Sequence, residues 1–415
     1  MTQKTSKECY IVVGAGQAGA VAVSSLRESG FGGRILLVGD EPHLPYERPP
    51  LSKEVLLTPA TAKPTIFDSA FYSSQNIECR FGIPATHIDI HTHMLELASG
   101  EQIHFDKLLL ATGARARPYP LLDALGKDAL QLRSMKDAQA LAKRIQPGAR
   151  ILVVGGGVIG LEVAASARTL GAEVTLLERG DRLMARAAPV HLAQALLELH
   201  RDQGVRCVFD VDLVKADHAA NGSVQLHSQN GEVFVGDLVV YGIGVHLNVE
   251  LAQASGLKVE DGILIDEYGM TSAPGIYAAG DVARQWQPQL GRYIRQETWS
   301  NAQNQAQSVV RSMLTGLPCD PDLPWYWTDQ YGSNIQVAGS IEVDEWVTRG
   351  NRPDRYTQFG LRDGCVVGAI TFNNGKEMRP AKQLISVAAE LSNPELLLDP
   401  KQDLRKLVVQ SALAA

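Results

Sequence analysis

IVVGAGQAG, residues 11–19, and ILVVGGGVIG, residues 151–160, decide the fold: each sets Gly-x-Gly-x-x-Gly at the end of an apolar run. Working outward from the first, ECYIVV reads as a buried strand, and Gly14, Gly16 and Gly19 make a turn. AGAVAVSSLRESG then reads as a helix ending at Gly30, and RILLVG as the next strand. Asp40 and Glu41 follow it, roughly 20 residues past the last glycine, where a carboxylate can accept hydrogen bonds from a ribose. The second copy repeats the plan with strand ARILVV, glycines Gly155, Gly157 and Gly160, helix LEVAASARTL, strand AEVTLLE and the acid Glu178. A lone glycine motif is weak, but strand, turn, helix, strand and acid twice in order predict two dinucleotide sites. Glycine lets each turn be tight and the backbone approach a pyrophosphate, whose charge the helix N-terminus stabilises.

Composition narrows the class. At 415 residues the chain is too long for one core, and 45% hydrophobic with 20% charged residues describes a globular protein of two or three domains. The opening MTQKTSKECY is polar and lacks the apolar stretch of a secretory signal, and no run of eighteen apolar residues could span a bilayer, so a cytoplasmic location and no membrane partner are expected. A net charge of −7 argues against nucleic acid as a partner. Cys9, Cys79, Cys207, Cys319 and Cys365 are far apart, with no Cys-x-x-Cys pair, which argues against a dithiol redox centre and against a metal site.

Between the glycine loops, LLLATGARARP carries a strand from Leu108 into Ala111, Thr112 and Gly113, small residues that let backbone approach a cofactor. The run Arg115, Arg117 and Pro118 looks like an exit into an inserted second nucleotide unit. Later, GIGV holds Gly242 and Gly244, and IYAAGDVAR ends a strand at Asp281, at the strand end where open α/β sheets place ligands. From Leu323 the chain changes to short strands broken by glycine and asparagine, then helices from Pro380. The expected fold is α/β: two Rossmann-like dinucleotide-binding domains and a C-terminal α+β domain. Residues 1–113 and 241–322 form the first domain, 114–240 the second and 323–415 the third.

With these strings and YERPPLSK (46–53), ETWSNAQNQ (297–305) and PWYWTDQ (324–330), the chain resembles the glutathione-reductase-type flavoproteins of the oxygenase-coupled ferredoxin reductase group, over essentially its whole length. It is most similar to the NADH-dependent ferredoxin reductases of bacterial aromatic-ring dioxygenases, such as that of biphenyl dioxygenase, components of aromatic hydrocarbon catabolism. The resemblance implies FAD on the first loop, with Gly14, Gly16, Ala18 and Gly19 along its pyrophosphate and Asp40 or Glu41 on its ribose. By the same match Arg48, Lys53, Ala85, Thr112, Gly113, Arg133, Asp281 and Trp299 contact the flavin, Asp281 at the ribityl chain. Lys53 lies near the flavin ring, paired with Glu162, and these two are the implied catalytic residues. NADH takes the second loop, with Gly155, Gly157, Ile159, Gly160, Glu178, Arg179, Gly242 and Gly244. A carboxylate at Glu178 favours NADH by repelling the 2′-phosphate of NADPH, although Arg179 beside it could accommodate that phosphate.

The implied reaction takes a hydride from NADH and passes electrons singly to a two-iron, two-sulfur ferredoxin, which feeds a terminal Rieske-type oxygenase. Trp299, Trp325 and Trp327 either pack the core or shield the flavin, and Arg284, Arg292, Arg295 and Arg311 could steer an acidic ferredoxin. Three other readings stand beside this one. An NADH oxidase or peroxidase would carry a cysteine near the flavin, and GDEPHLPYERPPLSK has none. Rubredoxin reductase is nearer, with PWYWTDQ favouring the dioxygenase group. A nucleotide-responsive binding flavoprotein resembling apoptosis-inducing factor would be told apart by ferredoxin turnover.

Overall fold

The computed structural model describes residues 8–320, 322–352, 354–388 and 395–408. The chain divides into two compact units. The first gathers Met1–Arg48, Lys63–Arg115 and Val245–Asp322; the second gathers Pro49–Ala62, Ala116–Gly244 and Leu323–Ala415.

The first unit is built on a parallel sheet in the order Ile276–Ala278, Lys107–Leu110, Cys9–Val13, Arg34–Gly39, Ile77–Phe81. Its inner strands are apolar on both faces, as a sheet covered on both sides demands, while the edge strand Ile77–Phe81 carries Glu78 and Arg80. Tyr10, Val12, Ile35, Leu37 and Leu109 face a layer containing helices Gln17–Glu28 and Trp299–Thr315, through Val21, Leu26, Ala306 and Val309. Ile11, Val13, Leu36, Val38 and Leu108 face the other way, onto Ile88, Leu95, Leu97 and Ile103 of a three-stranded antiparallel sheet. The strand that feeds the first glycine loop is central. Its neighbours are the next strand along the chain and one reached only after a long excursion, so the loop opens at the point where strand order reverses.

The second unit repeats this arrangement. Its parallel sheet runs Arg206–Val208, Glu173–Leu177, Arg150–Val154, Leu238–Tyr241, Ala129–Leu130, with the second loop again leaving the central strand. The last stretch forms a five-stranded antiparallel sheet, ordered Trp325–Gln330, Ser333–Gly339, Cys365–Phe372, Arg355–Arg362, Glu345–Arg352. Phe359, Leu361, Val366 and Ala369 from this sheet pack on Ala381 and Leu384 of helix Met378–Ser386. No helix among the described residues is long and apolar enough to cross a membrane.

Candidate nucleotide and electron-transfer sites

The two glycine loops share one geometry, and each glycine has its own reason. Gly14 has φ +116°, and a Cβ there would stand 2.1 Å from the carbonyl oxygen of Ala111. Gly155 has φ +108°, and its Cβ would stand 2.4 Å from that of Gly242. The third glycines press the helix onto the turn: a Cβ on Gly19 would lie 1.8 Å from Gly14 O, and one on Gly160 2.0 Å from Gly155 O. At the middle glycines, Gly16 and Gly157, an added Cβ would meet nothing within 4 Å. The first and third glycines are thus required by the chain itself, and the middle ones by whatever occupies the space before them.

That space suits a pyrophosphate. Gly16 and Gly157 are the N-caps of helices Gln17–Glu28 and Val158–Thr169, and neither helix has a side-chain cap. Their first-turn N–H groups and the positive end of the helix dipole are available to an anion. Gln17 Oε1 is buried without a hydrogen-bond partner beside the first loop, an acceptor awaiting a donor. Gly280, φ +80°, donates its N–H to Gln305 Oε1 at 2.8 Å. A Cβ on it would lie 3.1 Å from Ala18 Cβ, which puts the following residue, half-buried Asp281, beside the first loop.

Thr112 is clasped by Asn248: its hydroxyl donates to Asn248 O at 2.7 Å, and Asn248 Nδ2 donates to Thr112 O at 2.8 Å. Gly113, φ +63°, again leaves open space. Asp40 is exposed, whereas Glu41 accepts from Tyr46 Oη at 2.6 Å and from Arg48 at 3.2 Å. Ala85 opens strand Ala85–Asp89 and packs against the core cluster that holds Ile88, Leu95 and Leu97. Trp299 begins the helix whose N-cap, Thr298, accepts from Asn301 N at 3.0 Å. Arg133 lies in the second unit, just before a capping box made by Ser134 and Asp137.

At the second loop Glu178 is fixed rather than free, accepting from Gly156 N at 2.6 Å and Gly180 N at 2.7 Å. Each oxygen retains a lone pair for a ribose hydroxyl. Arg179 is exposed next to it, and Ile159 is 44% exposed at the helix start. Gly244, φ +113°, accepts from Arg117 N at 3.0 Å.

The second unit also brings Lys53 and Glu162 together. Glu162 is 2% exposed on helix Val158–Thr169, and its carboxylate accepts from Lys53 Nζ at 3.1 Å, from Thr328 Oγ1 at 2.8 Å and from the Ser52 hydroxyl. Ser166 Oγ donates to Ser52 O at 2.6 Å and fixes that segment on the helix. Lys53 lies 3.8 Å from Asp329 and 5.8 Å from the Trp327 ring centroid, and Trp327 stacks on Trp325 at 5.3 Å. A buried carboxylate with three donors, one of them an ammonium, is what low-dielectric surroundings require. Ser52, Thr328, Asp329 and Asn248 escaped the sequence reading. Ser52, Thr328 and Asp329 sit inside YERPPLSK and PWYWTDQ, but nothing in either string announces that they converge on one carboxylate.

Beyond Thr328 the polar contacts continue. Gln330 Nε2 donates to Thr328 Oγ1 at 2.9 Å, Gln330 Oε1 lies 2.7 Å from His200 Nε2, and His200 Nδ1 lies 3.2 Å from Tyr331 Oη. Burial pushes the His200 imidazole below its usual range and the Tyr331 phenol well above its own, so the ring is neutral and the phenol keeps its proton. Tyr331 has φ +52° and Gly332 φ +76°, a two-residue turn of the type that asparagine and glycine usually fill. Holding a tyrosine there costs about 1–2 kcal/mol.

All five cysteines are free. Burial pushes the Cys79, Cys207 and Cys319 thiols up to about 11. No cluster among the described residues could hold a metal ion.

Two anion-accepting loops of one geometry, on two parallel sheets in one chain, define a two-dinucleotide oxidoreductase. The chain belongs to the pyridine nucleotide-disulphide oxidoreductase family, whose model matches residues 9–306, while residues 325–408 match the reductase C-terminal family. Its cofactors are accordingly FAD and NAD(H). It is 43% identical, over 92% of its length and 98% of the relative's, to the 3-phenylpropionate/cinnamic acid dioxygenase ferredoxin–NAD(+) reductase component of Photorhabdus laumondii subsp. laumondii. Among solved structures it is similar to the covalent putidaredoxin reductase–putidaredoxin complex, with TM-score 0.92 and 33% identity over 98% of this chain and 99% of that one. A ferredoxin reductase from Rhodopseudomonas palustris gives TM-score 0.91 and 33% identity, over 97% of this chain and 100% of that one.

Proposed function

We propose that the protein is the FAD-containing, NADH-dependent reductase that supplies electrons to a two-iron, two-sulfur ferredoxin feeding an aromatic-ring-hydroxylating oxygenase in the cytoplasm. The observation that carries this is the pair of matched loops in a chain with no paired cysteines. Bound FAD accepts two electrons with a hydride and can release them one at a time, which is the chemistry a one-electron acceptor needs from NADH. Without a dithiol, the chain has no route to a disulfide substrate. The absence of a cysteine in GDEPHLPYERPPLSK disfavours the oxidase reading, and the relatives' kinship disfavours the rubredoxin and binding-protein readings.

The chain's own residues would work by holding and orienting. Residues 1–113 and 241–322 would bind FAD through Gly14, Gly16, Ala18, Gly19, Asp281 and the Thr112–Gly113 opening. Residues 114–240 would bind NADH, with Glu178 aligned on the ribose by its two backbone donors. Lys53, paired with the Glu162 carboxylate, would present its ammonium to the flavin ring. Of the arginines considered for ferredoxin steering, Arg284, Arg295 and Arg311 are committed to Glu260, Asp261 and Asp320, and only Arg292 has no ion pair among the described residues, so Arg292 is the one to test. Anaerobic stopped-flow mixing with NADH, NADPH and then a two-iron, two-sulfur ferredoxin tests the whole reading. Rapid bleaching by NADH and fast recovery on ferredoxin addition are expected; bleaching without recovery moves the acceptor elsewhere.

A further inference from the structure

The contacts from Tyr331 to Glu162 have a direction that simple hydrogen-bonding rules impose. Glu162 faces the Lys53 ammonium as a carboxylate and can only accept, so the single hydroxyl proton of Thr328 must point at it. Thr328 Oγ1 must then take its own hydrogen bond as an acceptor, which presents it with the NH2 side of Gln330. That orientation turns Gln330 Oε1 toward His200 Nε2, which must therefore carry the ring proton. His200 Nδ1 is left bare and accepts from the Tyr331 phenol. The reverse arrangement would set a threonine lone pair against a carboxylate oxygen inside the protein.

We propose that Tyr331, His200, Gln330 and Thr328 are positioning residues, a one-way chain of donors that fixes the Glu162 carboxylate and through it the place of the Lys53 ammonium in hydride transfer. This rests on the reading of Lys53 and Glu162 given above. Three observations carry it. Thr328 and Gln330 are each 1% exposed and His200 is fully buried, so water cannot substitute for a missing link. Each donor polarises the next, so the chain delivers more to Glu162 than Thr328 alone. Tyr331 is kept in a left-handed conformation that glycine would adopt without strain, and its hydroxyl closes the far end. The links come from helix Val190–Asp202, the first strand of the terminal sheet and the turn after it, so the catalytic pair is braced by elements distant in sequence.

The test uses the FAD-loaded protein. In Thr328→Val, the rate of flavin reduction at saturating NADH should fall on the order of ten- to a hundredfold, as misplacement of a reacting group does, while the NADH dissociation constant moves less than about twofold. Thr328→Ser should restore the rate. Independently of activity, 15N spectra of histidine-labelled protein, assigned with His200→Gln, should show His200 protonated at Nε2 and bare at Nδ1. The opposite tautomer would reverse the chain and overturn the proposal even if Thr328→Val fails to fold. A wild-type rate in Thr328→Val beside a slow Glu162→Gln would overturn the chain alone. Wild-type rates in both would instead sink the reading of Lys53 and Glu162.

Discussion

Gly16 and Gly19 stand three residues apart and resist enlargement for different reasons. A Cβ on Gly16 enters open space, and one on Gly19 would lie 1.8 Å from Gly14 O. Gly16→Ala should fold normally and hold FAD about tenfold more weakly, some 1.4 kcal/mol, read as lost flavin absorbance after dialysis. Gly19→Ala should lose soluble yield, because the helix cannot seat on the turn. Soluble, flavin-free Gly19→Ala together with fully loaded Gly16→Ala would invert the assignment. Glu178→Ala strands two backbone donors and removes the charge that opposes a 2′-phosphate. It should weaken NADH binding at least tenfold and narrow the preference over NADPH, since hydrogen bonds to a charged group contribute about 1.5–3 kcal/mol. Unchanged kinetics with both nucleotides would remove Glu178 from the ribose site.

Some helices in this protein close their N-termini with a side chain, and the two nucleotide helices do not. Asp68, Ser134 and Thr298 each cap their helices with a side-chain oxygen, while Gly16 and Gly157 leave the two nucleotide helices open. Gly157→Asp should therefore separate stability from function. It supplies the missing cap, contributing a few tenths to about 1 kcal/mol, and places a negative charge where the pyrophosphate goes. A slightly raised melting temperature with NADH binding abolished is the expected pair of results, and retained NADH affinity would contradict it. At this scale the sequence is most readable. The strands before Gly14 and Gly155, the helices after them and the acids beyond follow from apolar runs and punctuation. What periodicity could not reveal is that Pro49–Ala62 leaves the first unit for the second, because that is settled by Ser166 holding Ser52 and Glu162 holding Lys53. The Asn248 clasp on Thr112 is hidden for the same reason: the contact exists only in the folded chain.

For the molecule as a whole, buried histidine sets one limit. His200, and His191 with it, are pushed below the ordinary imidazole range mainly by burial. The folded pKa lies below the unfolded value of about 6.5, so the unfolded chain binds more protons as pH falls. Stability is complete above about pH 6.5 and is lost as pH drops toward the folded value, with a slope of up to about 1.4 kcal/mol per pH unit for each proton. Melting temperatures from pH 8 to pH 5.5 should fall less steeply in His200→Gln than in the wild type, whatever the offset between them. Parallel curves would show that His200 does not carry the effect.

The raised thiols have a consequence for service life. A reduced flavin open to air leaks electrons to dioxygen, and the peroxide so formed attacks thiolates first. Here three thiols sit near 11 and Cys9 is raised by burial as well, so at neutral pH these four hold little of that vulnerable form. With four of its five thiols held protonated in this way, the protein should keep turning over in aerated solution without added reductant.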